Sequence, residues 1–425
     1  MKIYGTYLFR LGIFLLPSAF FISSILLTIS LIISFFISEP RKIFADKLNL
    51  IFFIASALMI LITILQFFSA VNANNINIEG SANWNKYLSL IGLGNWLPLF
   101  LCFWGFQIYL YTSNERKITA KFLIGGSIPV LISGFGQYFF NWHGPISTLN
   151  NLIIWYQRPL VSDFQGLSGL FNNQNYAGCW LNIILPFSIA ILFESKSNIF
   201  KKGTSAVIAL SVSIAIFLTS SRSAWSGLIL TLPMLLGTSF LYLLLPFVFC
   251  LFFIIFLKQY DLLPDQIQDF VNYLKFENIL DEFREDNYTN VEKRSKIFFF
   301  AINHIIKNPI LGLGAGSFPI LYYIKYQTYI GHTHNLFLEL SFNYGLVISL
   351  LVFITILYIC YLGFMKIYFQ VKGDNLFEKA WFTSFFVLLC SQMVDIEYFD
   401  GRISIVFWIL LAGLKNIIKD IKYEC

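Results

Sequence analysis

Residues 11–37 read LGIFLLPSAFFISSILLTISLIISFFI and contain no charged side chain. A transmembrane helix needs about 20 apolar residues, so this run is long enough for one tilted helix or for a hairpin of two short helices. Arg10 precedes the run and Arg41 follows it. Because basic residues collect on the cytoplasmic side of a membrane, this pair favours a hairpin with both ends in the cytoplasm. No small-residue cleavage site follows, and we expect the segment to be retained rather than removed as a signal peptide.

Similar apolar runs recur along the chain. Of its 425 residues, 57% are hydrophobic and 12% are charged, and the mean hydropathy is +0.70. These values are typical of a polytopic membrane protein and exclude an ordinary soluble domain. We therefore predict an all-α membrane helix bundle of about twelve transmembrane helices, with both termini cytoplasmic. The predicted spans cover residues 11–22, 23–37, 48–71, 92–112, 120–141, 175–194, 204–220, 223–237, 239–257, 334–362, 380–396 and 402–416.

One long segment of mixed charge interrupts this pattern at residues 258–333. It is too long to obey the charge rule, and we predict that it forms a large external loop. Its sequences DQIQDFVNYLKFENILDEF and RSKIFFFAINHIIKNP have the spacing of amphipathic helices, and GLGAGSFP is typical of a turn or of close backbone approach. The predicted domains are thus transmembrane helices in 1–257, a loop subdomain in 258–333 and further transmembrane helices in 334–425.

Several classes of function are excluded by what the sequence lacks. The six cysteines have neither the paired spacing of a metal site nor that of a disulfide framework. The net charge of +6 is spread over loops without a basic aromatic stripe, so we predict no nucleic-acid partner. No phosphate-binding P-loop, dinucleotide fingerprint or nucleophile elbow is present, and we predict no cofactor.

Two of the four histidines lie together in GHTHNLFLELSFNYG, residues 331–345, where the predicted loop re-enters the membrane. A histidine can act as a general base near neutral pH, and Asn335 can orient it or a substrate hydroxyl. Alternatively, His332 and His334 are polar caps at the membrane interface. A metal site is a weaker alternative, because no cysteine or carboxylate stands close by in the sequence. If the predicted helix begins here, the two side chains point about 200° apart, and substitution of His332 should then be tolerated.

Arg222 stands in TSSRSAWSG, residues 219–227, between two apolar runs without acidic residues. A charge inside a membrane is costly unless it is paired, so a functional site is the default interpretation. The guanidinium fork matches diphosphate oxygens, whereas the alternative is an arginine that reaches the lipid headgroups. Arg294 is less distinctive, because Lys293 and Lys296 beside it are typical of a solvated helix face.

Four further polar residues lie beside aromatic residues in the predicted external loops. Each is either a candidate for sugar binding or an ordinary loop residue. They are Arg158, Asp395, Glu397 and Arg402.

Four segments together resemble the O-antigen ligase and polymerase superfamily, which consists of bacterial polytopic glycosyltransferases. They are GLFNNQNYAG (169–178), TSSRSAWSG (219–227), Arg294 with KNPILGLGAGSF (307–318), and HTHNLFLELSFNYGLVISLL (332–351). The last is the most specific, because a histidine-asparagine pair follows a glycine-rich turn and precedes a glycine-containing span. Gln174 departs from the pattern, since the family commonly has a proline at that position, directly before the asparagine that Asn175 matches.

The resemblance implies a GT-C-like bundle in the bacterial inner membrane and a metal-independent, inverting glycosyl transfer on the periplasmic face. The donor would be a glycan on a polyprenyl diphosphate such as undecaprenyl diphosphate, and membrane lipids would surround the protein. The acceptor would be a lipid A core sugar for a ligase, the leading interpretation, or another lipid-linked repeat for a polymerase. His334 would be catalytic, Arg222 and Arg294 would bind the diphosphate, and Asn335 and Asn175 would contact substrate.

Another class of function stays open. LGIFLLPSA near the N-terminus and DIEYFDGRISIVFW near the C-terminus also resemble a branch named for inorganic-carbon transport. In a bicarbonate or small-anion transporter, Arg222 would be a substrate site near the middle of the bilayer. A non-catalytic scaffold for polysaccharide assembly is a third interpretation.

Overall fold

The computed structural model describes residues 1–38, 45–69, 87–160, 166–194, 199–237, 294–370 and 375–420, which are predominantly helical. The helices are α1 (Lys2–Leu15), α2 (Phe20–Ile37), α3 (Lys47–Ser69), α4 (Tyr87–Gly92), α5 (Leu97–Phe106), α6 (Ser113–Phe140), α7 (Gln174–Leu192), α8 (Ile199–Leu218), α9 (Arg222–Leu236), α10 (Arg294–Lys307), α11 (Ser317–Tyr326), α12 (Leu336–Tyr344), α13 (Leu346–Met365), α14 (Leu376–Ser391) and α15 (Gly401–Asp420). Strands β1 (Ile146–Thr148) and β2 (Ile153–Trp155) form an antiparallel pair.

The chain divides into two compact units. The first unit comprises Met1–Gly126 with Glu292–Cys425, and the second comprises Ser127–Val291. The predicted domain boundary at residue 257 and the predicted amphipathic helix within 265–283 lie outside the described residues.

The N-terminal segment folds as a helical hairpin, as predicted, but the predicted first span 11–22 is wrong, because α1 begins at Lys2 and contains Arg10. α1 and α2 run antiparallel, because the Ser23 hydroxyl donates to the Gly12 carbonyl at 2.7 Å and the Ser30 hydroxyl donates to the Gly5 carbonyl at 3.1 Å. The predicted boundary between the two helices, at residues 22 and 23, is wrong. The bend lies at residues 16–19, where Pro17 has no N–H to continue the helix.

Seven helical segments within the described residues are long and apolar enough to cross a membrane, which is the mark of a multi-pass membrane protein. They are Phe20–Ile37, Lys47–Phe68, Tyr87–Tyr109, Ser113–Phe140, Gln174–Leu192, Leu346–Gln370 and Gly401–Lys419, and Lys202–Leu218 is a shorter apolar helix. α9 and α14 occupy two further predicted spans with 15 and 16 residues. The predicted span 239–257 lies outside the described residues, so the number twelve stays a prediction.

The predicted continuous span 334–362 is wrong, because the chain breaks at Gly345. α12 ends at Tyr344 and α13 begins at Leu346, and Gly345 has φ = 88°, a left-handed conformation that favours glycine. A Cβ atom at this position would lie 2.2 Å from the carbonyl oxygen of Ile310. The short helix α12 is therefore a separate element, and residues 332–335 lie directly before it.

α10 and α11 pack on α12 through a small apolar core. Its members are Ile297, Phe300, Ala301, Ile305, Phe318, Tyr322 and Phe342. The helix predicted for RSKIFFFAINHIIKNP is confirmed as α10. The predicted close approach of GLGAGSFP is also confirmed, since Leu313 N–H donates to the Phe342 carbonyl at 2.7 Å and Gly314 N–H donates to the Asn343 carbonyl at 3.1 Å.

Candidate active site

The HTHN segment lies in the first unit as a tight turn that leads into α12. Asn335 is the N-cap of this helix, since its side chain accepts the Leu338 N–H at 3.0 Å. The same side chain donates to the Met393 carbonyl at 2.8 Å, and the Thr333 hydroxyl donates to the Asn335 carbonyl at 2.9 Å. Asn335 thus has a structural role here and ties the turn to the segment after α14.

His334 forms a short hydrogen bond with a carboxylate from that segment. Its Nδ1 lies 2.8 Å from Oδ1 of Asp395, and the Ile396 N–H also donates to this oxygen at 2.9 Å. Burial raises the pKa of Asp395, but the hydrogen bond with His334 and the electrostatic effects of His334 and Arg294 outweigh burial and hold the pKa below its ordinary value. An ionised carboxylate can only accept hydrogen bonds, so Nδ1 of His334 donates. In the neutral ring, Nε2 then keeps a free lone pair.

Arg294 reaches the same carboxylate from the N-terminal end of α10. Its Nη2 lies 3.7 Å from Oδ2 of Asp395, and its side chain is 44% exposed. The structure therefore brings together Arg294, His334 and Asp395, three residues that are separated in the sequence. From the sequence, Arg294 was predicted to lie on a solvated helix face. Its pairing with Asp395 was missed because that carboxylate stands about 100 residues further along the chain.

His332 contacts His334 directly, contrary to the expectation that the two side chains diverge. The ring centroids are 4.4 Å apart, and Nδ1 of His332 accepts the His334 N–H at 3.2 Å. The expectation is wrong because residues 332–335 form a turn before α12 rather than its first turn, and His334 has φ = 55°. Burial, and then the neighbouring His334, lower the pKa of His332 to about 4, while Asp395 opposes this shift only in part. His332 is therefore neutral near pH 7.

The two histidines and Asp395 also form a grouping that suits a divalent metal ion. One ligand atom from each residue lies within 4.8 Å of the others. The third ligand, Asp395, could not be found from the local sequence, because it follows the histidines only after three further helices. Arg294 beside the carboxylate opposes a bound cation, and the His334 N–H already occupies Nδ1 of His332.

A second carboxyl group lies buried in the same turn. Glu397 has no exposed surface, and it accepts hydrogen bonds from the Ser391 hydroxyl and the Gln392 side chain, both at 2.9 Å. Burial, together with the negative charge of Asp395, raises the pKa of Glu397 to about 8. The backbone carbonyl of Gln392 in turn accepts the Leu336 N–H at 2.9 Å. Glu397 is thus part of the support beneath the site and not a sugar ligand.

Arg402, another candidate from the sequence, is engaged with its own turn. Its Nε donates to Oδ1 of Asp400 at 2.8 Å, its backbone N–H donates to the same oxygen at 2.9 Å, and its side chain is 15% exposed. This arrangement stabilises the start of α15.

The second unit holds the other candidates at two helix N-termini. The Asn173 side chain caps α7 by accepting the Asn175 N–H at 2.7 Å, and Arg222 is the first residue of α9 and is exposed. A Cβ atom on Gly178 would lie 2.5 Å from Cβ of Ala224, so the first turns of α7 and α9 are in close contact. Helix N-termini attract anions, and two adjacent ones with an arginine suit a phosphate group.

Gln174 and Arg158 complete the description of the second unit. Gln174 stands where the family commonly has proline, and its Oε1 accepts the Gly166 N–H at 2.5 Å, which ties the preceding loop to α7. Arg158 follows β2 with an exposed side chain, and its carbonyl accepts a hydrogen bond from Gln137 at 2.7 Å. The departure at Gln174 therefore has a local structural role.

The sequence reasoning missed two residues that support the site, Glu339 and Gln392. Both are buried. The only signal for Glu339 was a lone acidic residue in the apolar run LFLELSF, since a charge in such a run requires partners.

Comparison with known proteins identifies the family that part of the chain resembles. No curated protein matches the chain. Residues 206–354 match the family model described as O-antigen ligase (Wzy_C), and this range includes Arg222, Arg294 and His334. The resemblance is thereby confirmed, with three of the four motifs inside this range and GLFNNQNYAG (169–178) before it, and residues 206–354 carry the signature of the O-antigen ligase superfamily.

Proposed function

We propose that the protein is an O-antigen-ligase-like glycosyltransferase. It transfers a glycan from a polyprenyl diphosphate donor to a hydroxyl of a lipid A core sugar or a similar acceptor, on the periplasmic face of the bacterial inner membrane. The observation that carries this proposal is the cluster in which His334, Asp395 and Arg294 meet. A general base with an orienting carboxylate and an adjacent guanidinium is the equipment that glycosyl transfer from a diphosphate requires.

The Asp395–His334 pair provides the base. Asp395 holds Nδ1 of His334 at 2.8 Å, so Nε2 is free to accept the proton of the acceptor hydroxyl. The hydroxyl oxygen then forms a bond to the anomeric carbon while the bond from that carbon to the diphosphate oxygen breaks. The proton ends on His334, and attack from the face opposite the leaving group inverts the anomeric configuration. No metal ion is needed for this step.

The arginines serve the leaving group. The donor diphosphate already carries a negative charge on each phosphate, and one more develops as the bond to the anomeric carbon breaks; fixed donors stabilise this charge most effectively where water is limited. Arg294 is half-exposed beside the base, so its fork can contact a phosphate oxygen while it faces Asp395. In the second unit, Arg222 and the N-terminal N–H groups of α7 and α9 supply a further phosphate site, with Asn175 at its edge.

A polymerase of the same superfamily uses the same chemistry with a different acceptor and is the second candidate. A small-anion transporter is less well supported, because His334, Asp395 and Arg294 lie at helix ends and in turns, whereas a transport site is expected near the middle of broken spans. The surface glycans of a deletion strain separate these functions. If the deletion strain makes lipid A core without attached glycan and accumulates lipid-linked polymer, the protein is a ligase. If the core of that strain bears a single repeat, the protein is a polymerase. An unchanged glycan profile contradicts both functions.

A further inference from the structure

We propose that Glu339 is a positioning residue for glycosyl transfer: its buried carboxyl group holds the Thr333 backbone so that His334 keeps the conformation in which it faces Asp395. The inference rests on the proposed function and adds to it a residue with no direct contact to substrate. Glu339 lies in α12, one helical turn after the HTHN segment.

Both carboxyl oxygens of Glu339 are engaged. Oε2 accepts the Thr333 N–H at 2.9 Å, and Oε1 accepts Nδ2 of Asn343 at 3.2 Å. The side chain of Glu339 is 5% exposed, and Thr333 has no exposed surface. Because Thr333 is buried away from water, removal of the Glu339 carboxyl group leaves its N–H without a hydrogen-bond acceptor.

This contact matters because His334 adopts a conformation that is unfavourable for a side chain with a Cβ atom. Its φ of 55° is left-handed, and such a residue keeps its conformation only where its neighbours are fixed. Thr333 is fixed by Glu339, and Asn335 is fixed by the Leu338 N–H and the Met393 carbonyl. Without the first of these ties, the backbone at 333 and 334 can relax, and the imidazole turns away from Asp395.

The tie is separate from the stability of α12 itself. The N-cap of this helix comes from Asn335, and its C-terminal end is held by hydrogen bonds from Leu313 and Gly314. Neither interaction involves Glu339. Loss of the carboxyl group is therefore expected to affect the geometry of the turn before it affects the helix.

The inference is tested by the steady-state rate of glycan transfer, measured for three Glu339 variants and two controls in membranes that contain equal amounts of protein. Glu339→Ala should lower kcat on the order of tenfold to a hundredfold, because a small misplacement of a catalytic group has effects of this size. Glu339→Gln keeps an acceptor oxygen for Thr333 and should retain most activity. Ser341→Ala, a control that removes a buried hydrogen bond to the Phe337 carbonyl within α12, should keep kcat near the wild-type value. His334→Ala, the second control, should be inactive.

The pH profile distinguishes a positioning role from a purely structural one. If Glu339 aligns His334 with Asp395, Glu339→Ala should also shift the acidic limb of the profile of kcat against pH, which reports protonation of the general base, whereas loss of folded protein lowers the profile without moving it. Should Glu339→Ala fail to accumulate, Glu339→Asp keeps the polarity but falls short of Thr333 and should show the same shift. Wild-type kcat and an unmoved profile in these variants, with His334→Ala inactive, would overturn the positioning role alone. An active His334→Ala would overturn the proposed function and this inference with it.

Discussion

At the scale of single residues, the orientation of His334 by Asp395 yields a direct prediction. Asp395→Asn keeps the shape of the side chain but allows its amide to donate to Nδ1 of His334. The ring proton then moves to Nε2, where it blocks the base, and we expect kcat to fall by about a hundredfold or more. Initial rates of transfer with a lipid-linked donor measure this change.

Asp400→Asn is the matched control for that variant. Asp400 lies in the same turn but pairs with Arg402, so its substitution should leave the rate within about threefold of wild type. Equal rates for Asp395→Asn and the wild type would show that His334 does not depend on the carboxylate.

Arg222 provides a second prediction at this scale. Arg222→Ala should abolish transfer, and Arg222→Lys should also be severely impaired, because an ammonium group cannot reproduce the two parallel hydrogen bonds that a guanidinium forms with a phosphate. Transfer is measured in membranes with matched protein levels. Near-normal transfer by the lysine variant would leave Arg222 with a role in membrane topology only.

The sequence identified the polar residues of the site but not their pairings. His334 and Arg294 were selected from a motif, and Asp395 was grouped with Arg402 as a candidate for sugar binding. Their actual partners follow from contacts between residues about 60 to 100 positions apart, which no local pattern encodes. The turn at His332 was mistaken for a helix because Asn335 was interpreted as a site residue and not as the N-cap that starts α12.

At the scale of elements, the break at Gly345 predicts a large effect of one methyl group. Gly345→Ala places a Cβ atom 2.2 Å from the Ile310 carbonyl oxygen and imposes a side chain on φ = 88°. We expect the free energy of unfolding to fall by about 2 kcal/mol or more. Thermal unfolding in detergent micelles measures the loss.

Gly203→Ala is the matched control for the element prediction. Gly203 lies in α8 with open space around the position of a Cβ atom, and alanine is the better helix former, so this variant should be neutral or slightly more stable. If both variants unfold at the wild-type temperature, the sharp break between α12 and α13 is not needed for stability.

Elements with strong local signals were predicted well. The hairpin of α1 and α2 follows from the basic residues on either side of the apolar run, and the amphipathic helix α10 and the glycine-rich turn follow from apolar periodicity and glycine. The break at Gly345 was not predicted, because a single glycine in an apolar run is common in transmembrane helices. What distinguishes it is the contact with the backbone at residue 310, which depends on the packing of α10 and α12.

At the scale of the whole molecule, the buried carboxyl group of Glu397 predicts a dependence of stability on pH. Its pKa is about 8 in the folded protein and has a reference value of 4.5, so the folded state keeps a proton that the unfolded state releases. Between these values, each pH unit lowers the free energy of unfolding by about 1.4 kcal/mol, and the loss levels off above about pH 8. Thermal unfolding between pH 5 and pH 9 should show this decline.

Glu397→Gln should remove the decline, since the amide fits between Ser391 and Gln392 and does not titrate. A decline of equal size in this variant would assign the effect to another group. This measurement reports on the protein as a whole, because Glu397 joins the segment after α14 to the start of α12 through Gln392.

The central claim is that His334 is the base of a glycosyl transfer, and the most direct measurement is transfer from a polyprenyl-diphosphate glycan by the His334→Ala variant. We predict that this variant transfers no glycan while it still binds the donor, because the arginines that hold the diphosphate are intact. His332→Asn, which keeps an acceptor for the His334 N–H, should retain activity in the same membranes. Transfer by His334→Ala at the wild-type rate would contradict the account.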